Sequence, residues 1–341
     1  MPLTHRDTRA MNLGLQGGGA HGAFTWGVLD YLLEDGRVRL EGISGTSAGA
    51  MNAVVLAHGL VQDGRDGARN ALRAFWNAVG DSMPFELATN GAVGQPMSLA
   101  PGLNALLQFT QYFSPEQLNP FDINPLRDIL SRQVDFSGLR AHSPVKLFVA
   151  ATNAKSGKLR IFRESELNAD AVLASACLPT LHHTVEIDGE PYWDGAYAAN
   201  PAVFPLFHEC SAQDILLVLL TPREHKDIPR TTQEIRNRMH DLAFNATFLR
   251  EMRTFATLQK EMEKNWLHCN RLERRLAHTR FHIIEPHDDM NRLQAETKLA
   301  TGHRFLTMLH ALGRDQAQSW MARHYAESGK RSTVDLAQLF Y

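Results

Sequence analysis

Twice within its first fifty residues the chain runs a short apolar strand into a helix through a cluster of glycines. No other feature constrains the fold as tightly. Residues 11–16 read as a buried strand, followed by Gly17-Gly18-Gly19-Ala20-His21-Gly22. In the next run Phe24, Val28, Tyr31 and Leu32 recur at helical spacing, and Gly36 is a plausible stop. Residues 40–44 read as a second strand, and Gly45-Thr46-Ser47-Ala48-Gly49 leads it into a helix reaching about residue 58. A strand that turns sharply into a helix packs backbone against backbone, so the turn residues must lack bulk.

The rest of the chain continues the alternation. Residues 68–79 form another helix, with Leu72, Phe75, Trp76 and Val79 on one side, and Asn124-Pro125 starts a helix to about residue 133. Residues 145–153 are a strong buried strand, turned back at 156–158 into 159–162. A helix at 167–175 ends before Pro179, and a second hairpin spans 184–193 around Asp188-Gly189. Residues 215–221 and 281–284 are further strands, whereas 295–325 is mostly helical. Residues 232–267 read as a long charged helix or helix pair, with an apolar stripe through Phe244, Phe248, Met252, Phe255 and Met262. Amphipathic helices ordinarily bury such stripes, so it is read as core packing.

This order predicts an α/β fold of three layers, a largely parallel central sheet flanked by helices. The domain reading is an α/β unit over residues 11–223 and a mostly helical C-terminal extension over 224–341, packed on that core. Residues 81–120 break the pattern. They are rich in Gly, Pro, Asn and Gln with scattered large apolar groups, which suits a lid, or a cover over the sheet edge.

Composition narrows the function classes. Hydrophobic residues make up 44% and charged residues 21%, and the net charge of −2 gives no overall field for nucleic acid. Cys177, Cys210 and Cys269 lie far apart, with neither zinc spacing nor a disulfide framework, which suits a reducing compartment. The N-terminus lacks an apolar signal run, and no apolar stretch approaches the roughly 20 residues a bilayer span needs. The expectation is a cytoplasmic protein, peripheral to a membrane if it meets one, without metal or cofactor.

Gly17-x-Gly19-x-x-Gly22 has the spacing of a dinucleotide fingerprint. That reading also needs an acidic residue at the end of the second strand to hold a ribose. Here the second strand ends in Ser44-Gly45, and Glu41 stands at its start. The other reading keeps the same backbone physics: glycine amides at a helix N-terminus converge on negative charge. Beside a nucleophilic serine that charge is the oxyanion of an acyl-transfer intermediate, and each donor is worth roughly 3–4 kcal/mol there.

A serine needs a base to be nucleophilic at neutral pH. Sixteen histidines are too many for spacing to single one out. The distinctive carboxylate is Asp194, which ends a hairpin strand and is followed by Gly195, Ala196 and then Asn200-Pro201. Asp-Gly is also a common turn dipeptide, so the residues alone leave its role open.

Taken in order, Gly17–Gly22, Gly45-Thr46-Ser47-Ala48-Gly49 and Asp194-Gly195-Ala196 resemble the patatin-like phospholipase family. Gly27-Val28-Leu29 is similar to the family in detail, and the resemblance covers about residues 12–220. Gly313-Arg314-Asp315 is similar to the tails of bacterial members. The resemblance implies a fold of the patatin and lysophospholipase type and a Ser–Asp dyad without an obligatory histidine. Ser47 is then the nucleophile and Asp194 the proton acceptor, with Gly17, Gly18 and Gly19 as oxyanion donors. The substrate class it implies is a lipid or other acyl ester, met at a membrane surface where the lipid is in a bilayer. Many members carry Arg or Lys where this chain has His21, which reads either as a titratable charge beside the loop or as a solvent-side cap. The alternatives are an α/β-hydrolase with a Ser–Asp–His triad and a dinucleotide-binding protein using Gly17–Gly22.

Overall fold

The computed structural model describes residues 8–82, 89–90, 98–99, 114–221, 228–264, 270–286, 290, 293 and 295–341. Its strands are β1 (Arg9–Leu15), β2 (Val38–Thr46), β3 (Thr89–Asn90), β4 (Ser98–Leu99), β5 (Lys146–Asn153), β6 (Leu159–Arg163), β7 (Val185–Ile187), β8 (Glu190–Asp194), β9 (Asp214–Val218) and β10 (Arg280–Ile284). The two-residue β3–β4 pair stands apart. The other eight form one sheet in the order β10-β9-β1-β2-β5-β8-β7, with β6 paired to β5. From β10 to β5 every pairing is parallel, and β6, β7 and β8 join antiparallel. The expected hairpins at 156–158 and 188–189 are therefore present.

The helices are α1 (Gly22–Asp35), α2 (Ala48–Asp81), α3 (Pro115–Leu118), α4 (Pro125–Gln133), α5 (Phe136–His142), α6 (Ala169–Ser175), α7 (Phe204–Glu209), α8 (Thr232–Lys264), α9 (Arg271–His278), α10 (His303–His324) and α11 (Leu336–Phe340). They cover both faces of the sheet. Leu13, Leu15, Ile43, Val149 and Leu216 join a core with α1, α2 and α10. Phe148, Ala150, Ile215, Leu217 and Phe281 point the other way, into a core with α7, α8, α9 and α11. Successive strand residues serve opposite faces, and both are covered, so β5 is apolar without a break from Leu147 to Ala151 and β9 from Ile215 to Val218.

α2 is broken at Asp63 and Gly64, where Gly64 has φ 55° and ψ −137°, so the two helices expected at 48–58 and 68–79 meet at this break. Phe248, Met252 and Phe255 on α8 are buried as expected. Most of the 81–120 stretch read as a lid or cover lies outside the described residues.

α1 and α10 touch backbone to backbone. A Cβ on Gly313 falls 2.0 Å from the Phe24 carbonyl oxygen, and one on Gly27 falls 2.0 Å from that of His310. Beside this contact Asp30 takes ion pairs from Arg69 at 2.7 Å and from Arg314. Burial raises the Asp30 carboxyl, but hydrogen bonds from His310, Arg69 and Arg314 outweigh it and hold the group well below the usual carboxylate range. Because backbone lies opposite Gly313, Gly313→Ala forces the helices apart. It is expected to cost about 3 kcal/mol, read as a lowered midpoint in denaturant titration.

Candidate active site

Strand register brings the two proposed catalytic residues together. Along one edge, β5 pairs with β6 from Phe148 to Thr152. Along the other it pairs with β2 as far as Thr46↔Ala150, and β8 takes over at Ala151↔Asp194. The last residue of β2 and the last of β8 therefore sit at adjacent positions of β5, beside Ser47.

The elbow is a sharp turn. Ser47 has φ 54° and ψ −122°, a conformation that L-residues rarely adopt and that costs of order 1–3 kcal/mol. Its N–H donates to Ser175 Oγ at 2.9 Å, and the Thr46 hydroxyl donates to the Ala199 carbonyl at 2.8 Å. Gly49 must be glycine because a Cβ there falls 2.2 Å from the Leu15 carbonyl oxygen. Ala48 and Gly49 open α2, and Gly45 packs against Gly49 from the strand side.

Asp194 is 2% exposed and ends β8. Its N–H donates to the Cys177 carbonyl at 2.7 Å, its own carbonyl accepts from the Thr152 hydroxyl at 2.8 Å, and Oδ1 accepts from the Ala196 N–H at 2.8 Å. The Ser47 hydroxyl lies close enough to favour the charged form of this carboxyl. Burial pushes the Asp194 carboxyl up from its ordinary 3.8 to about 7, against the pull of the Ala196 N–H and the Ser47 hydroxyl. Gly195 follows, packed against the Ala150 carbonyl, and Ala196 is buried. Among the described residues no histidine ring is hydrogen-bonded to Ser47 or Asp194.

The glycine loop lies against the elbow: a Cβ on Gly17 falls 2.8 Å from Ser47 Cβ, and one on Gly22 falls 2.7 Å from Ala48 Cβ. Two expectations change here. Gly17 is not free to donate to an oxyanion, because its N–H is already given to Asn200 Oδ1 at 2.7 Å. Among the described residues no protein acceptor takes the N–H of Gly18 or Gly19. His21 is neither a solvent-side cap nor a titrating charge near neutral pH. It is 4% exposed, its Nε2 meets Thr297 Oγ1 at 2.8 Å, and burial, with the nearby Lys298 charge, pushes its imidazole down to about 3. A residue 276 positions away covers it, so no local pattern could reveal its burial.

Other residues to which the sequence assigns no place in the site support the loop. Asn200, followed by the cis peptide to Pro201, anchors Gly17. Gln16 accepts from the Leu220 and Thr221 N–H groups at 2.6 and 2.9 Å and donates to Asn245 Oδ1 on α8 at 2.8 Å. Lys298 places its carbonyl over Gly19, where a Cβ falls at 2.3 Å, and its ammonium pairs with Asp241 of α8 at 2.9 Å. Asn200→Ala removes the only described acceptor of the Gly17 N–H. Since misplacing an active-site group by about 1 Å costs about 10²-fold, turnover is expected to fall by about that factor while KM moves little, as steady-state assays with the fold checked by circular dichroism will report.

His182 and His183 line a pocket of about 150 Å³ with Cys177, Arg127 and Asp170; neither Ser47 nor Asp194 lines it. Cys177 and Cys210 are buried and unpaired, and burial pushes their thiols up to about 11 and about 12. Among the described residues no group of three or more His, Cys, Asp or Glu side chains is arranged to hold a metal ion. No helix of those residues is long and apolar enough to cross a membrane.

Comparison with known proteins gives a family and several distant structural relatives. VipD from Legionella pneumophila is 17% identical over 93% of this chain and 67% of its own, with a TM-score of 0.46. Two structures of ExoU with SpcU from Pseudomonas aeruginosa are more distant. One is 15% identical over 91% of this chain and 54% of the matched chain, with a TM-score of 0.30. The other is 13% identical over 92% and 52%, with a TM-score of 0.27. This chain thus spans about two thirds of the first and about half of the others. No curated protein matches it. The patatin-like phospholipase model matches residues 13–207, more than half of the chain, and that segment holds the glycine loop, the elbow and Asp194. The chain belongs to the patatin-like phospholipase family.

Proposed function

We propose that this chain is a serine lipid acyl hydrolase of the phospholipase A or lysophospholipase type. Family membership supports lipid hydrolysis as the activity class. The observation that carries the finer reading is the strand register that sets Ser47, at φ 54°, beside the buried Asp194, whose carboxyl burial pushes up to about 7. A base with that affinity for protons is half ionised at neutral pH and is matched to general-base work.

In the proposed reaction Asp194 accepts the Ser47 proton as Oγ bonds to the ester carbonyl carbon. The resulting oxyanion lies against the Gly18 and Gly19 N–H groups. Its collapse breaks the bond to the leaving alcohol, which takes the proton from Asp194, and leaves Ser47 acylated. Water then attacks the acyl carbon and gives a proton to Asp194. As the acid departs, that proton returns to Ser47 and the enzyme is regenerated.

The triad alternative lacks a histidine on either group among the described residues. The dinucleotide alternative lacks its acid, because Glu41 accepts from the Ser211 and Ala212 N–H groups at the opposite end of β2. We place the enzyme in the cytoplasm, where Cys177 and Cys210 stay reduced. An active-serine phosphonate probe tests the proposal. Labelling of Ser47 with turnover on a panel of phospholipids, lysophospholipids, neutral lipids and simple esters is expected; an unlabelled folded protein with no turnover refutes it.

A further inference from the structure

α8 is apolar on two opposite faces, and only one of them is buried. Phe248, Met252 and Phe255 pack into the sheet core. On the other side Ile235, Met239, Leu242 and Leu249 follow one another at spacings of 4, 3 and 7, so they share one stripe. Their exposures are 44, 65, 49 and 39%. At 1.5 Å per residue the stripe runs about 21 Å along the helix.

Charge is segregated in the same way. Between residues 232 and 253 the acidic side chains are Glu234, Asp241 and Glu251, and each is already engaged. Glu234 accepts from the Arg230 and Thr231 N–H groups at the helix start, Asp241 pairs with Lys298, and Glu251 accepts from the Val203 and Phe204 N–H groups. Burial raises the Glu251 carboxyl to about 7. The flanks of the exposed stripe carry arginine: Arg238 precedes Met239 and Arg250 follows Leu249. An apolar stripe bordered by arginines, with the three acids of residues 232–253 engaged elsewhere, is complementary to a surface that is apolar within and negative at its rim.

We propose that this face of α8 docks the protein on an anionic lipid surface. The inference deepens the functional reading above and rests on it for its purpose, although docking needs no chemistry. The inner side of the same helix holds Gln16 through Asn245 and Lys298 through Asp241, so the element that meets lipid also braces the glycine loop.

The test uses the full chain carrying Ser47→Ala, so that binding is read without hydrolysis. Co-sedimentation with vesicles of phosphatidylcholine containing phosphatidylglycerol is compared with phosphatidylcholine alone. The parent is expected to partition on the anionic vesicles. Met239→Ser with Leu242→Ser, and separately Arg238→Glu with Arg250→Glu, are each expected to lower that partitioning tenfold or more at low salt. In the Ser47 background, Met239→Ser with Leu242→Ser should leave turnover of a short water-soluble ester unchanged, which certifies the fold. Equal partitioning of parent and variants overturns the proposal. So does absence of vesicle binding, and a concentration-dependent dimer in light scattering that the stripe variants abolish then assigns the face to a second copy of the chain. Binding through the stripe by a protein that hydrolyses no ester upholds the docking face and removes the hydrolase reading instead.

Discussion

Asp194→Asn is expected to lower ester turnover by about 10³–10⁴-fold while making the protein more resistant to unfolding above pH 7. The two effects have one origin. Burial holds the Asp194 carboxyl near 7 in the folded chain, against an ordinary 3.8. At about 1.4 kcal/mol per pH unit, keeping it ionised inside the fold costs about 4 kcal/mol. The sign follows from the raised affinity. Below about pH 4 the group is protonated whether folded or not, and no penalty applies. As pH rises from about 4 to about 7 the unfolded chain loses its proton first, so stability falls, and above about 7 the loss is complete. Asparagine carries no charge and keeps an acceptor for the Ala196 N–H. The difference in unfolding free energy between variant and parent should therefore be near zero at pH 4, grow through pH 5 and 6, and level off above 7. The same ionisation governs catalysis: kcat/KM of the parent should rise with pH through an apparent pKa near 7, and a profile without that limb rules out Asp194 as the base. Wild-type turnover in Asp194→Asn likewise rules out the dyad, whereas unchanged stability across pH shows that the carboxyl is not held protonated by burial.

What the sequence revealed of this design is what short-range physics writes into it. The elbow is legible because a strand-to-helix reversal admits only small residues around Ser47, and the strands β5 and β9 are legible because burial on both faces makes them continuously apolar. Family motifs added the order in which the loop, the elbow and Asp194 occur. The handover from β2 to β8 along one edge of β5 is not legible, since it joins residues 46 and 194 through a third strand. His21 escapes a local reading for the same reason. A residue after a glycine loop looks exposed until Thr297 and Phe305 arrive from the far end of the chain. Gly17, read from sequence as an oxyanion donor, is a fastening point because the side chain of Asn200 reaches it across 183 residues. Lys298 and Asn245 carry no motif at all; only tertiary packing brings them to the loop.

Two substitutions at Ser47 separate chemistry from backbone strain. Ser47→Ala removes the hydroxyl and keeps Cβ, so the φ of 54° and ψ of −122° remain as costly as before. Loss of turnover on the order of 10⁶-fold is expected, with a stability close to that of the parent. Ser47→Gly removes the nucleophile as completely, yet glycine adopts this backbone without steric cost. Glycine also loses more conformational freedom on folding, which offsets roughly 0.5–1 kcal/mol of the gain. Relief of about 1–3 kcal/mol of strain should still leave Ser47→Gly more stable than Ser47→Ala by about 1 kcal/mol. Urea titration resolves that difference as a shifted midpoint at constant slope. Should Ser47→Gly prove less stable than Ser47→Ala, the elbow is not strained and the positive φ is merely tolerated. If instead both variants are inactive and the glycine variant is the more stable, the fold is holding Ser47 in a costly conformation. That cost then has a reason in the geometry: the turn brings the hydroxyl toward the buried Asp194 carboxyl, against the glycine loop at Gly17.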